Sequence, residues 1–225
     1  MEIFLDSADI NEIQKWTDLG VIDGVTTNPS IMLKDGVCDT ENRIKEIANL
    51  VFPCPVFTQV TTDNISEMLL QAHHFNMLAE NIVVKIPQIN QNGVPCYGVM
   101  RQLENCGVKV NATATLSVAQ LMMAAKAGVS YISVFAGRIS DEGGDANKVI
   151  SDSTLWLKRW EYKSKVIVGS IRSVGDAVSA ALAGAHVVTI PPIILTKMAD
   201  HRYTRETVRH FIADAEKTAE MFCRG

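Results

Sequence analysis

The sequence predicts a (β/α)8 barrel, and three observations carry that prediction. Short β-branched runs alternate with longer segments of helical period along the whole 225 residues, and the unit occurs eight times. The runs IVVKI, KVIVG and HVVTI are apolar rather than alternating, as strands of a parallel sheet are when both of its faces are covered. Several helical segments end in glycine just before the next strand (Gly20, Gly107, Gly128 and Gly184), the left-handed stop used where a helix turns back towards a strand. Repeated strand–helix units imply right-handed crossovers and parallel pairing. Strand order is not written in a sequence, so a doubly wound sheet is the alternative.

The elements follow in order. A first strand, Ile3–Asp6, precedes a helix over Asp9–Leu19, for which Ser7 is the expected cap. Gly24–Thr27 and Val56–Val60 are the second and third strands, with a helix over Glu41–Leu50 between them. A helix over Asn64–Glu80 leads to strand Ile82–Ile86, and one over Tyr97–Glu104 leads to strand Lys109–Ala112. Helix Ser117–Ala127, strand Tyr131–Phe135, helix Ala146–Trp160 and strand Lys165–Gly169 come next. Helix Val174–Ala183, strand His186–Ile190 and a final helix over Thr204–Phe222 complete the series. No Pro/Ser-rich linker or charge block interrupts it, so residues 1–225 are expected to form a single domain.

Composition narrows the function. With 47% hydrophobic and 20% charged residues the chain can fill a large core, which excludes disorder and fibrous architecture. A net charge of -4, from 21 basic and 25 acidic residues, offers no general field for a phosphate backbone, so nucleic acid is not an expected partner. No apolar run approaches the roughly 20 residues that cross a bilayer, and MEIFLDSADI carries acid where a signal peptide carries base. No membrane partner and a cytoplasmic location are the expectation. Cys38, Cys54, Cys96, Cys106 and Cys223 show no C-x-x-C pair and no zinc-ligand spacing, so reduced, mostly buried thiols are expected. His73, His74, His201 and His210 fall in helical or polar loop segments and are assigned structural or solvated roles.

In a (β/α)8 barrel the chemistry sits at the C-terminal ends of the strands. Here those ends are polar in register. Asp6 ends strand one, Thr26, Thr27 and Asn28 strand two, and Gln59 strand three. Lys85 lies on strand four, Asn111 and Thr113 on strand five, Ser133, Phe135 and Arg138 on or just after strand six, and Ser170 and Arg172 after strand seven. Any one of them alone would be read as a turn former.

Lys85 is the sharpest feature, because an ammonium in the run Asn81–Pro87 must lie inside the barrel or at its mouth. Desolvation favours the neutral amine, and a neutral amine attacks a ketone carbonyl to form a Schiff base. The plain alternative is a lysine that snorkels to the rim or pairs with Asp6. An iminium withdraws electrons from the neighbouring carbon–carbon bond, which is the core of aldol chemistry. Asp6 is the available proton carrier, with Gln59 or Thr113 placed to hold a relay water. Asn28, Asn111 and Ser133 suit the hydroxyls of a sugar fragment. Arg138, Ser170 and Arg172 form a second cluster, suited to an anion, late in the barrel. Arg172 could equally face water from a first helical turn, and Arg138 could pair with Asp141. Neither DEGGD (Asp141–Asp145) nor QNG (Gln91–Gly93) matches a nucleotide-binding pattern, so no cofactor is expected. Asp6, Asp23 and Asp141 lack ligand spacing, so no metal is expected.

Read in order, L-D-S-A-D (Leu5–Asp9), G-V-T-T-N-P-S (Gly24–Ser30), V-V-K-I-P (Val83–Pro87), V-N-A-T (Val110–Thr113), F-A-G-R-I (Phe135–Ile139) and G-S-I-R (Gly169–Arg172) resemble the transaldolases. The likeness is to the short subfamily that also holds the fructose-6-phosphate aldolases and the sulfofructose transaldolases, and it spans essentially the whole chain. It implies a barrel of the class I aldolase type with a Schiff-base lysine at Lys85, Asp6 as acid/base, and Gln59 and Thr113 around the catalytic water. A dihydroxyacetone fragment would be held by Thr27, Asn28, Asn111, Ser133 and Phe135, and the anionic end of the substrate by Arg138, Ser170 and Arg172. Sugar phosphates, or a sugar sulfonate, are the implied partners. Homo-oligomers built on pentamers that stack into decamers are also implied, with the C-terminal helix reaching onto a neighbour.

Two positions disagree. The transaldolases usually carry glutamate at the end of strand three and the aldolases glutamine, and this chain has Gln59. On strand six the transaldolases usually carry phenylalanine and the aldolases tyrosine, and here it is Phe135. Asn111 in N-A-T and the paired arginines Arg138 and Arg172 resemble the transaldolase pattern and tilt the expectation to transaldolase. The stretch Gln88–Tyr97 departs from the T-x-x-G that commonly follows this lysine, which leaves substrate choice open. A silent sugar-phosphate-binding barrel is the non-enzymatic alternative, against which Lys85 argues.

Overall fold

The computed structural model of the protein describes residues 1–223; Arg224 and Gly225, the end of the expected domain, and the side chain of Cys223 lie outside the described residues. Strand β1 (Glu2–Asp6) leads into helix α1 (Ile10–Asp18), and β2 (Gly24–Thr26) into a short α2 (Pro29–Lys34) and a longer α3 (Thr40–Val51). Three strand–helix units follow: β3 (Val56–Gln59) with α4 (Ile65–Asn76), β4 (Ile82–Pro87) with α5 (Tyr97–Asn105), and β5 (Val110–Thr115) with α6 (Val118–Ala127). β6 (Tyr131–Phe135) precedes α7 (Ala136–Asp141) and α8 (Ala146–Arg159), and β7 (Lys165–Gly169) precedes α9 (Val174–Leu182). β8 (Val187–Ile190) is followed by α10 (Pro192–Ala199) and α11 (Arg202–Cys223).

Each strand pairs in parallel with the next, and β1 pairs with β8, Leu5 beside Ile190, so the sheet closes. The architecture is a (β/α)8 barrel, and the doubly wound alternative falls. Side chains of period two divide each strand between lumen and outer layer. Outward residues such as Leu5, Val25, Val84, Val110 and Val188 join the buried faces of the helices, Ile44 and Ile47 of α3, Leu103 of α5 and Leu121 of α6 among them, in one core. Complete burial of each such side chain contributes about 1.5–3 kcal/mol before chain entropy is counted.

The lumen holds a separate plug of Phe4, Phe57, Val83, Ile167 and Val187, with Tyr131 packed against it. Phe57 stands 5.4 Å from Phe4 and edge-on at 5.0 Å from Tyr131, centroid to centroid. Gly24 makes room for the plug, because a Cβ there would come within 2.8 Å of Phe4 Cε1 and 2.9 Å of the Pro55 carbonyl oxygen. Two residues further along every strand lies the next lumen layer, and there the apolar side chains stop. In register this layer places Asp6 beside Thr26, Gln59 beside Lys85, and Lys85 beside Asn111.

The element ends differ from expectation for local reasons. Asp9, not Ser7, caps α1, its carboxylate accepting from the amides of Asn11 and Glu12, while Ser7 Oγ accepts from the Asp9 amide one step earlier. Helix α4 stops at Asn76 rather than Glu80, and Asn81, whose Nδ2 donates to the carbonyls of Ala48 and Cys54, anchors the chain at the start of β4. Helices α2, α7 and α10, of 6, 6 and 8 residues, are too short to show a period and were not expected. The expected glycine stop is seen at Gly128, which caps α6 at φ 90°. Strand β5 runs on to Thr115 through a register shift between Ala112 and Thr115, with Ala114 left-handed at φ 58°. The thiols depart from the expected burial: Cys96 is buried and Cys54 half-buried, but Cys38 and Cys106 are exposed. Among the described residues no helix is long and apolar enough to cross a membrane.

Candidate active site

The polar lumen layer floors a cavity of about 440 Å³ at the C-terminal ends of the strands. Lys85 rises into it from β4, only 5% exposed, and its Nζ donates to the backbone carbonyl of Thr27 at 2.9 Å. Burial pushes its pKa below the usual 10.5, opposed by the attraction of Asp6. The same burial pushes the Asp6 carboxyl up from 3.8, against the pull of Lys85 and a hydrogen bond from Thr26. Each group is thus moved towards its neutral form, the lysine towards a free amine and the aspartate towards a protonated carboxyl.

Asp6 is held by a chain of hydroxyls. Thr26 Oγ1 donates to Asp6 Oδ1 at 2.6 Å and lies 2.5 Å from Thr189 Oγ1 on β8. Thr26 and Thr189 line the cavity, and neither was assigned a role from the sequence. The signal was present: period two from the apolar Val187 of the plug puts Thr189 in the lumen.

Around Lys85 the expected residues separate into those that face the cavity and those that support them. Gln59, Thr113, Ser133 and Phe135 line it. Thr113 Oγ1 is buried without a hydrogen-bond partner, in the bulged part of β5, so a donor or acceptor points at the cavity wall uncommitted. Asn111 is wholly buried beneath Ser133, with its Nδ2 2.8 Å and its Oδ1 3.1 Å from Ser133 Oγ, and so reaches the cavity through that hydroxyl. Asn28 lines the cavity while its Oδ1 caps α2 by accepting from the Ile31 amide at 3.0 Å, which leaves the amide nitrogen for a ligand. Thr27 turns away: its hydroxyl donates to the Phe57 carbonyl at 2.8 Å, and it serves the site through its own carbonyl on Lys85.

The anion cluster divides. Arg138, on the short helix α7, and Ser170, left-handed at φ 59° after β7, line the cavity. Arg172 instead borders a neighbouring space of about 410 Å³ between α7, α8 and α9. Both its terminal nitrogens meet the Asp141 carboxylate, at 2.5 and 2.6 Å, while Arg138 Nη1 is 4.0 Å from the same carboxylate. Of the three residues expected at the anionic end, Arg138 and Ser170 thus line the cavity and Arg172 does not. Among the described residues no group of His, Cys, Asp and Glu is placed to hold a metal ion.

Comparison with known proteins adds to this geometry. The family model described as transaldolase/fructose-6-phosphate aldolase matches residues 3–224. A probable transaldolase of Chelativorans is 35% identical over 222 residues, 98% of this chain and 99% of that protein. One of Lactiplantibacillus plantarum is 39% identical over 214 residues, 95% of this chain and 96% of its own length. Among solved structures, an N-acetylmannosamine-6-phosphate 2-epimerase from Clostridium perfringens superposes with a TM-score of 0.60 over 94% of this chain and 93% of that one, at 13% identity, a likeness of fold alone.

Proposed function

The chain belongs to the transaldolase/fructose-6-phosphate aldolase family, and on that premise we propose that it is a Schiff-base transaldolase moving a dihydroxyacetone unit from a ketose phosphate to an aldose phosphate. The observation that carries the reading is Lys85, buried in a polar cavity with its pKa lowered and its nitrogen on a carbonyl rather than a carboxylate.

The neutral amine of Lys85 adds to the ketose C2 carbonyl; the Asp6 carboxyl gives its proton, through the relay water, to the departing hydroxyl, which leaves as water, so an iminium forms and Asp6 is left as the carboxylate. Asp6 takes the proton of the C4 hydroxyl as the C3–C4 bond breaks; the bonding electrons flow into the iminium, leaving an enamine, and the aldose product departs. The enamine carbon then attacks the acceptor aldehyde, Asp6 returns the proton to the new alkoxide, and water releases the ketose from Lys85. Asn28 and Ser133, with Asn111 behind it, orient the fragment hydroxyls, Thr113 holds the water, and Arg138 with Ser170 takes the anionic end. Phe135 on the cavity wall supports transfer, because an apolar ring supplies no proton to quench the enamine.

A second reading, an aldolase that releases free dihydroxyacetone, is favoured by one residue, Gln59 beside Lys85. A sulfofructose substrate fits the same steps. Phe211 and Phe222, 68% and 82% exposed on α11, support self-association through that helix, in pentamers or their decameric stack. A cytoplasmic site of action is proposed with this function.

Borohydride reduction in the presence of fructose 6-phosphate tests the mechanism, with an adduct mapped to Lys85 as the expected result. Added erythrose 4-phosphate then separates transfer, which forms sedoheptulose 7-phosphate, from aldol release. Absence of any adduct with either fructose 6-phosphate or sulfofructose sinks the Schiff-base reading.

A further inference from the structure

Resting on that function, we propose that Asp35 is a positioning residue for the acid/base Asp6: from one end of α2 it holds the turn that follows Asp6, while the other end of α2 carries Asn28 into the cavity. The pairing of β1 with β8 stops at Leu5 beside Ile190, one residue before Asp6. Beyond Asp6 the chain is a turn, and two charged side chains from other elements hold it. Ser7 and Ala8 in that turn are 3% and 0% exposed. Asp35 Oδ2 accepts from the Ala8 amide at 2.8 Å and from Ser7 Oγ at 3.2 Å. From α3, Arg43 Nη1 donates to the Ala8 carbonyl at 2.6 Å while its Nε pairs with Glu46. Both backbone groups of a wholly buried residue thus rest on side chains supplied by α2 and α3. A buried peptide group that loses its partner is costly, so the turn stays where Asp35 and Arg43 hold it.

Helix α2 joins this hold to the substrate side. Ile31 stands between its two ends: the Ile31 amide donates to Asn28 Oδ1 at 3.0 Å, and the Ile31 carbonyl accepts from the Asp35 amide at 2.9 Å. One helix of 6 residues therefore sets the place of a residue that orients the donor fragment and of the residue that moves the proton. The groups facing Asp6 come from four elements. Lys85 comes from β4, Thr26 from β2 with Thr189 of β8 behind it, and Lys34 and Asp35 from the end of α2. Burial raises the Asp6 pKa, Lys85 and the Thr26 hydrogen bond lower it, and at the end of α2 Lys34 lowers it and Asp35 raises it. Asp35 thus acts on Asp6 by place and by charge, and the two effects separate by substitution.

Asp35→Asn keeps an acceptor for Ala8 and Ser7 and removes the charge, whereas Asp35→Ala removes both. Asp35→Ala should lower kcat about tenfold or more, with KM for fructose 6-phosphate changed about twofold or less. Asp35→Asn should keep kcat within about threefold of the parent while the acid limb of the pH–rate profile moves to lower pH. Arg43→Met, which frees the Ala8 carbonyl and leaves Asp35 in place, should repeat the fall in kcat. A lower melting temperature with parental kcat and pH profile in Asp35→Ala, or a rise in KM with kcat unchanged, would overturn the proposal and leave Asp35 holding the fold or the substrate. A second comparison needs no substrate. The stability of the parent relative to Asp6→Asn, from denaturant unfolding, should fall as pH rises from 3.8 and level off at the folded-state pKa of Asp6. With Asp35→Asn added to both proteins the fall should level off at lower pH, and with Asp35→Ala at lower pH still, as Asp6 is also freed towards water. A level-off that neither variant moves overturns the proposal even if Lys85 is trapped, whereas a shift without trapping sinks only the function on which it rests.

Discussion

Lys85 Nζ donates to the Thr27 carbonyl oxygen at 2.9 Å and, among the described residues, makes no hydrogen bond to the Asp6 carboxylate. The distinction is chemical. A carbonyl accepts from a neutral amine as well as from an ammonium, whereas a carboxylate in direct contact would favour the ammonium and withhold the nucleophile. Thr27 can do this because its own hydroxyl is occupied by the Phe57 carbonyl, which locks the β2–α2 turn against β3.

Burying both groups opposes folding, so the double variant Asp6→Asn/Lys85→Met should be inactive but more stable, by about 1–3 kcal/mol near neutral pH. The lowered pKa of Lys85 means the folded state binds fewer protons than the unfolded below 10.5, so the parent gains stability as pH rises towards that value. The raised pKa of Asp6 means the folded state binds more protons above 3.8, so the parent loses stability as pH rises from there. The advantage of the variant should therefore narrow towards both extremes. Denaturant unfolding across pH measures it, and a uniformly less stable variant contradicts the account.

Thr189 acts on Asp6 through Thr26. With Asp6 ionised, Thr26 donates to it and Thr189 donates to Thr26, so the hydroxyls align towards the carboxylate. Thr189→Val should weaken that alignment, raise the Asp6 pKa further, and move the acid limb of the pH–rate profile to higher pH. A fall in kcat of about tenfold with KM little changed is expected. An unmoved pH profile would show that Thr189 only packs.

Thr113 offers the cleanest separation of stability from function. Its hydroxyl is buried and unpartnered, so Thr113→Val relieves an unsatisfied group and should leave thermal stability unchanged or higher by up to about 1 kcal/mol. Activity should drop at least tenfold if that hydroxyl holds the water of the proton relay. A loss of stability with normal turnover would reverse the assignment.

Phe135→Tyr adds a hydroxyl at the cavity wall while keeping the ring in the register that sets it opposite Gly169. The ratio of dihydroxyacetone release to transfer should rise, measured by product analysis with erythrose 4-phosphate present. An unchanged ratio would remove Phe135 from the control of enamine lifetime.

Repetition made the barrel legible: a strand–helix unit repeated in a compact chain can bury its parallel strands on both faces only by closing or by winding twice. Lys85, Asp6, Gln59 and Ser133 were legible for a related reason, since a polar residue two positions beyond an apolar lumen residue must open on the mouth of the barrel. Closure itself, Leu5 against Ile190, is a contact between the two ends of the barrel sequence that no local pattern encodes. The same holds for the hydroxyl chain from Thr189 to Asp6, and for Thr27 turning its side chain to Phe57 while lending its carbonyl to Lys85. The split of the two arginines is of this kind as well. Sequence places Arg138 and Arg172 near one another, but which of them Asp141 clamps depends on how α7 packs on β7 at Gly137, because side-chain partners are chosen by distances that exist only once the helices are seated.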